Sequence, residues 1–119
     1  MRTEVIQAFD KEIKLSAQAQ QQEQWQQAWF HLERAHILGQ QHFGRHLNSH
    51  WLMLKLAAEQ GNRTEIFAQL LRLLLTPIGH LTGRLPQGNP GSGRYPVLQA
   101  MPVPQDLENL LSKATDKKP

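Results

Sequence analysis

The chain has 119 residues, a formal charge of +3 and no cysteine. One small domain is expected at this length, and disulfides, thiolate metal sites and a cysteine nucleophile are excluded at once. The charge is mild and basic residues do not cluster before Lys117 and Lys118, so no nucleic-acid footprint is expected.

The first residues, MRTEVIQAFDKEIK, are charged from the start and lack the apolar run of a secretory signal. The longest uncharged apolar stretch is broken by Arg72 and then Pro77, too short to span a membrane. A soluble, cytoplasmic protein with no membrane partner is the expectation. All seven prolines follow residue 76, and residues 77–104 hold six of them with five glycines. That split predicts a four-helix scaffold over 1–76, an irregular strap over 77–104 packed on it, a short helix over 105–113 and a flexible tail over 114–119.

In chain order, a first helix is expected over about 3–21, with Val5, Ile6, Phe9, Ile13 and Ala17 on one stripe. It runs into a tract with seven glutamines between Gln18 and Gln27. Glutamine is a good helix former, so a solvated helix face and a short connection are expected rather than disorder. A second helix, about 23–38, gathers Trp25, Ala28, Trp29, Leu32, Ala35 and His36 in one apolar arc. The third, about 43–60, puts Phe43, Leu47, Trp51, Leu54 and Ala58 on one face. Gly39 and Gly61 stand where residues just past a helix end belong. Asn62 and Glu65 have the spacing of a capping box. The fourth helix, Glu65 to about Leu75, is apolar nearly all round, as in helices sandwiched between others. The apolar residues of the strap, from Leu81 to Val103, are expected to pack back on the helices.

Short turns between the four helices imply an all-α fold of two antiparallel hairpins, tetratricopeptide-like in packing, although the 34-residue period of that repeat is not clean here. The three tryptophans are expected in the core.

Four blocks carry a family resemblance: the segment Ala28–Gln40 (AWFHLERAHILGQ), His46-x-x-x-His50-Trp-x-Met-Leu54, GRLPQGNPG from Gly83 to Gly91, and MPVPQDLENLL from Met101 to Leu111. In that order they resemble a bacterial domain-of-unknown-function family, DUF3703. The resemblance implies a small helical protein in which HLERAH and HxxxHW are signature elements. It implies no activity.

Five of six histidines fall between His31 and His50. With the turn between helices 2 and 3 centred near Gln41, His36 stands level with His46, and His31 with His50. His31 lies about 140° round the helix from His36, so four ligands on one ion need splayed helices. Neutral imidazoles suit zinc, copper or nickel, and HxxxH on a helix is a familiar half-site. The candidate ligands are therefore His36, His46 and His50, with His31 as a fourth. Glu33 or Glu59 is the candidate carboxylate or supporting acceptor. Without cysteine such a site is nitrogen- and oxygen-only. The plain alternative is that these histidines are satisfied by carbonyls, glutamine amides or water. Bis-histidine haem is a weaker alternative for so small a bundle, and a pH switch is another. His42 and His80 are assigned to solvent or loop packing.

HLERAH lacks the HExxH order of zinc peptidases, the GNPGSG run lacks the lysine and preceding strand of a phosphate loop, and serine and aspartate are scattered. A non-enzymatic binding protein is therefore expected. The other open class is a protein-interaction or homo-oligomer module with structural histidines, suggested by the apolar content of helix 4.

Overall fold

The computed structural model describes the main chain of residues 2–116 and the side chains of residues 2–112. Within them the chain forms five helices, α1 (Thr3–Gln21), α2 (Trp25–Gly39), α3 (Phe43–Gln60), α4 (Arg63–Thr82) and α5 (Gln105–Asp116). Residues 117–119 of the expected tail lie outside the described residues, and 114–116 belong to α5. None of these helices is long and apolar enough to cross a membrane.

Packing follows from the turns. Connections of two or three residues force neighbours antiparallel, and α1 packs on α2, α3 on α4, with α2 against α3 joining the two hairpins. At the α3–α4 turn, Gly61 takes φ +76°, a left-handed conformation natural to glycine. Asn62 then caps α4 by accepting from the Glu65 amide at 3.1 Å. The reciprocal half of the expected box is absent, because the Glu65 carboxylate accepts from Gln69 and Gly93 instead. Gly39 closes α2 from inside rather than beyond it. Its role is close approach, since a Cβ there would stand 2.8 Å from the Phe9 ring.

The fourth helix departs from expectation at its far end. It runs through Pro77 to Thr82 and stops at Gly83, φ +75°. Proline removes one hydrogen bond, to the Leu73 carbonyl, but leaves the following turn free to form if tertiary contacts hold it. Here His80 touches His46 and the Phe43 ring, anchoring the last turn on α3. The irregular strap therefore begins at Gly83 and not at Pro77.

The apolar core lies among α1, α2, α3 and α5. One cluster joins Val5, Phe9, Ala35, Ile37, Leu38 and Leu107 across α1, α2 and α5. A second joins Ala19, Ala28, Leu32, Met53 and Leu56 across α1, α2 and α3. The helix α4 belongs to neither. Its buried residues are Glu65, Gln69, Arg72 and Thr76, while Phe67, Leu70, Leu71, Leu74, Ile78 and Leu81 are exposed. The buried face of α3 is likewise His46, Ser49, His50, Met53, Leu56 and Ala57, about one residue round from the stripe expected. Trp51, expected inside, is 52% exposed; Trp25 and Trp29 are half-buried against the second cluster.

The cause lies in the strap. Residues 83–104 bring main-chain groups onto the bundle that must find partners when buried. The inward side chains of α4 supply them. Arg72 donates to the carbonyls of Ala68, Ser92 and Tyr95. Gln69 donates to the carbonyl of Gly91, and Glu65 accepts from the amide of Gly93. Gln40 on α2 reaches the Pro86 carbonyl at 2.9 Å, and Asn89 donates to Pro96 and Gln99 within the strap. The strap is thus held mainly by polar contacts. Of its apolar residues, Leu98 stays exposed, as does Leu81 on α4.

Candidate functional site

Three buried histidines meet where α2, α3 and the strap converge. The rings of His36 and His50 stand 4.6 Å apart, those of His36 and His46 4.8 Å, and those of His46 and His50 5.0 Å. Each offers one ring nitrogen, and these nitrogens all lie within 4.8 Å of one another. The HxxxH spacing on α3 gives His46 and His50 one face. His36 approaches from α2 at the level that the hairpin dictates.

His31 stands apart. Its Nδ1 is 2.7 Å from Glu12 Oε1, and Arg34 joins the same carboxylate at 3.0 Å. That network ties α1 to α2, and through Arg34–Asp106 to α5. A fourth ligand from His31 is therefore ruled out by the rotation of α2, which turns His31 toward α1. Glu33 and Glu59 are also committed elsewhere, to Arg94 and Gln20 respectively. The acid behind the histidines is Glu65. His80, expected in solvent or a loop, lies on α4 with Nε2 2.8 Å from His46 Nδ1. His42 caps α3, accepting from the Arg45 amide.

The hydrogen-bond partners assign one tautomer. The Gln69 amide nitrogen donates to Glu65 and to the Gly91 carbonyl, groups that only accept. Its oxygen must therefore face His50, whose Nδ1 lies 2.8 Å away and carries the proton. The lone pair of His50 is thereby fixed on Nε2. That atom lies 3.1 Å from His36 Nε2, which donates to it in the metal-free protein. Among the described residues, none is a hydrogen-bond partner of the buried His36 Nδ1.

Burial also settles the charge state. It pushes His50 down to about 4, with Arg72 acting in the same direction and the Gln69 hydrogen bond against it. It holds His46 at about 3, helped by His50 and His80. His36 lies well below the ordinary imidazole value, again through burial first and then through His50 and His46. All three rings are neutral at physiological pH and keep their lone pairs.

Above the rings lies a cavity of about 240 Å³, walled by the three histidines and by Arg72, Thr76 and Ile78 among others. It has room for an ion with a few small molecules. Its floor is closed by Gly91, whose φ is +90°, with a Cβ position only 2.6 Å from the His36 ring.

The signal missed in the sequence was the polar stripe of α4. Glu65, Gln69, Arg72, Thr76 and His80 recur at helical spacing in an otherwise apolar helix, marking its inward face.

A family model described as "Protein of unknown function (DUF3703)" matches residues 3–111. No curated protein and no solved structure matches the chain.

Proposed function

We propose that this chain, which belongs to the DUF3703 family of unknown function, binds one divalent transition-metal ion through His36, His46 and His50. The observation that carries the reading is three buried, neutral imidazoles with converging nitrogens. Two ligands at about 2.0–2.1 Å from a tetrahedral ion stand roughly 3.3 Å apart. The 3.1 Å between the Nε2 atoms of His36 and His50 is close to that edge.

The surroundings support it. Gln69, itself held by Glu65, orients His50, and His80 accepts from His46 Nδ1–H once His46 ligates through Nε2. The all-nitrogen set suits zinc, nickel or copper, and three protein ligands leave a coordination position toward the cavity. Glu65 is engaged by Gln69 and Gly93, which makes it a support for the ligands rather than a base. We therefore read the site as holding an ion, not as turning over a substrate.

Calorimetric titration of chelator-treated protein with Zn²⁺, Ni²⁺ and Cu²⁺ tests this. At least one ion is expected to bind with a stoichiometry of one and a Kd below about 10 μM. The His46→Ala/His50→Ala double variant should lose that binding, and His80→Ala should weaken it by about 10- to 100-fold. His31→Ala should bind as the parent does. Equal affinity in the double variant refutes the proposal.

A further inference from the structure

We propose that the outward face of α4 is the interface of a two-fold homodimer. Going beyond the metal reading, this rests on a different surface. Phe67, Leu70, Leu71, Leu74, Ile78 and Leu81 are all exposed, with Phe67 at 70%, Leu74 at 69% and Leu81 at 88%. An isolated exposed leucine is ordinary, but a continuous apolar face on one helix marks an interaction surface.

Its pattern points to another helix. Phe67, Leu71, Leu74, Ile78 and Leu81 are spaced by four, three, four and three residues, the alternation of a coiled-coil seam. The exposed residues of α4 from Phe67 to Thr82 include no charged side chain, because Arg72 points inward onto the strap. A helix lying on a membrane surface would instead carry a strongly charged face toward water; the polar face of α4 is buried in its own protein.

The seam also suits a second copy of itself. A two-fold interface must be self-complementary. An uncharged apolar stripe meets that condition without like-charge contacts. Five of the six exposed residues mirror one another about Leu74: Phe67 and Leu81 stand seven residues before and after it, and Leu70 and Ile78 four before and after. An antiparallel pair with its axis at Leu74 therefore sets each Phe67 against the other chain's Leu81.

The area is sufficient. Six side chains at these exposures leave roughly 600 Å² of apolar surface per chain. Complete burial of these side chains on both copies would remove roughly 1,200 Å² in total, which reaches the lower bound of a specific, stable interface. Ile78 belongs both to the stripe and to the cavity wall, so pairing also narrows the approach to the histidines.

The test is sedimentation analysis of the full chain with chelator present, from about 1 to 100 μM, so that metal binding plays no part. The parent is expected to approach twice its 13.6 kDa mass. Leu74→Glu/Leu81→Glu should remain a monomer with an unchanged helical circular dichroism spectrum, as both positions are in solvent in the single chain. The absence of native cysteine allows a second readout. Under oxidation Leu74→Cys should form a disulfide dimer, whereas Gln26→Cys on α2 should not. A parent that stays monomeric at 100 μM overturns the proposal, whether or not it then binds vesicles or another protein. So does a dimer that persists in the double variant, or Leu74→Cys that fails to cross-link.

Discussion

In the presence of a chelator, the protein is expected to lose stability steeply as pH falls from 6.5 to 5. The sign follows from linkage. His46 and His50 titrate at about 3 and about 4 in the folded chain, and His36 well below its ordinary value. An unfolded chain takes up those protons near pH 6.5. Between these limits the unfolded state binds more protons, so acid favours it, whereas above about pH 7.5 the three rings contribute almost no pH dependence. At pH 5 His46 and His50 together cost about 4 kcal/mol, and His36 adds in the same direction. Total stabilities of about 5–15 kcal/mol leave little margin for that. Thermal melts followed by circular dichroism should show Tm falling by more than 10 °C between pH 7 and 5. A Tm flat over that range would mean the rings are not buried as described. Saturating metal should shift the loss to lower pH, because an ion that binds only the folded chain stabilises it by mass action.

Gly91→Ala is expected to destabilise the protein by about 3 kcal/mol and to weaken metal binding along with it. Two costs combine. A φ of +90° strains any residue with a Cβ. The new methyl would also stand 2.6–2.8 Å from Cδ2, Cγ and Nε2 of His36, atoms of a ring already packed between His46 and His50. Gly61→Ala is the matched control. It imposes a similar φ, +76°, with nothing within 4 Å of the Cβ, and should cost only about 1–2 kcal/mol. Urea unfolding of the two variants measures the difference, which isolates the contact of the strap with His36. Equal losses would place Gly91 in the same class as an ordinary helix cap.

Helix spans were largely legible in the sequence, as was the inward arc of α2, where Ala28, Leu32, Ala35 and His36 are buried; the orientation of α3 and of α4 was not. The bounds of α1 and α3 follow from periodicity and from Gly61, and α2 from its apolar arc. The expected stripe of α3 and the expectation that α4 is sandwiched failed because both assume that apolar residues turn inward. Phe67, Leu74 and Leu81 turn outward because a strap rich in buried main-chain groups needs Gln69 and Arg72 on the inside. Pro77 misled for a related reason: a rule about local hydrogen bonds lost to the tertiary anchor of His80 on His46. The site was legible as far as hairpin geometry reaches. Level positions across the turn brought His36 to His46, and the four-residue spacing on α3 added His50; the expected pairing of His31 with His50 did not form, because His31 turns to Glu12 and His50 meets His36. The supporting residues Gln69, Glu65 and His80 were hidden, because the fourth helix read as apolar nearly all round and as ending near Leu75, which marked no inward face and left His80 outside it.

The tautomer assignment and the ligand set can be read together from two-bond ¹⁵N–¹H spectra of the histidine rings, recorded before and after adding one equivalent of Zn²⁺. In the metal-free protein His50 should carry its proton on Nδ1 and a bare Nε2, as its hydrogen bond to Gln69 requires. Zinc should move one nitrogen each of His36, His46 and His50 into the metal-bound range while leaving His31 and His42 unchanged. Shifts spread over His31 and His42 would contradict a metal centre at this site, as would unmoved nitrogens in the buried three with Zn²⁺ together with no line broadening of those rings by Ni²⁺ or Cu²⁺.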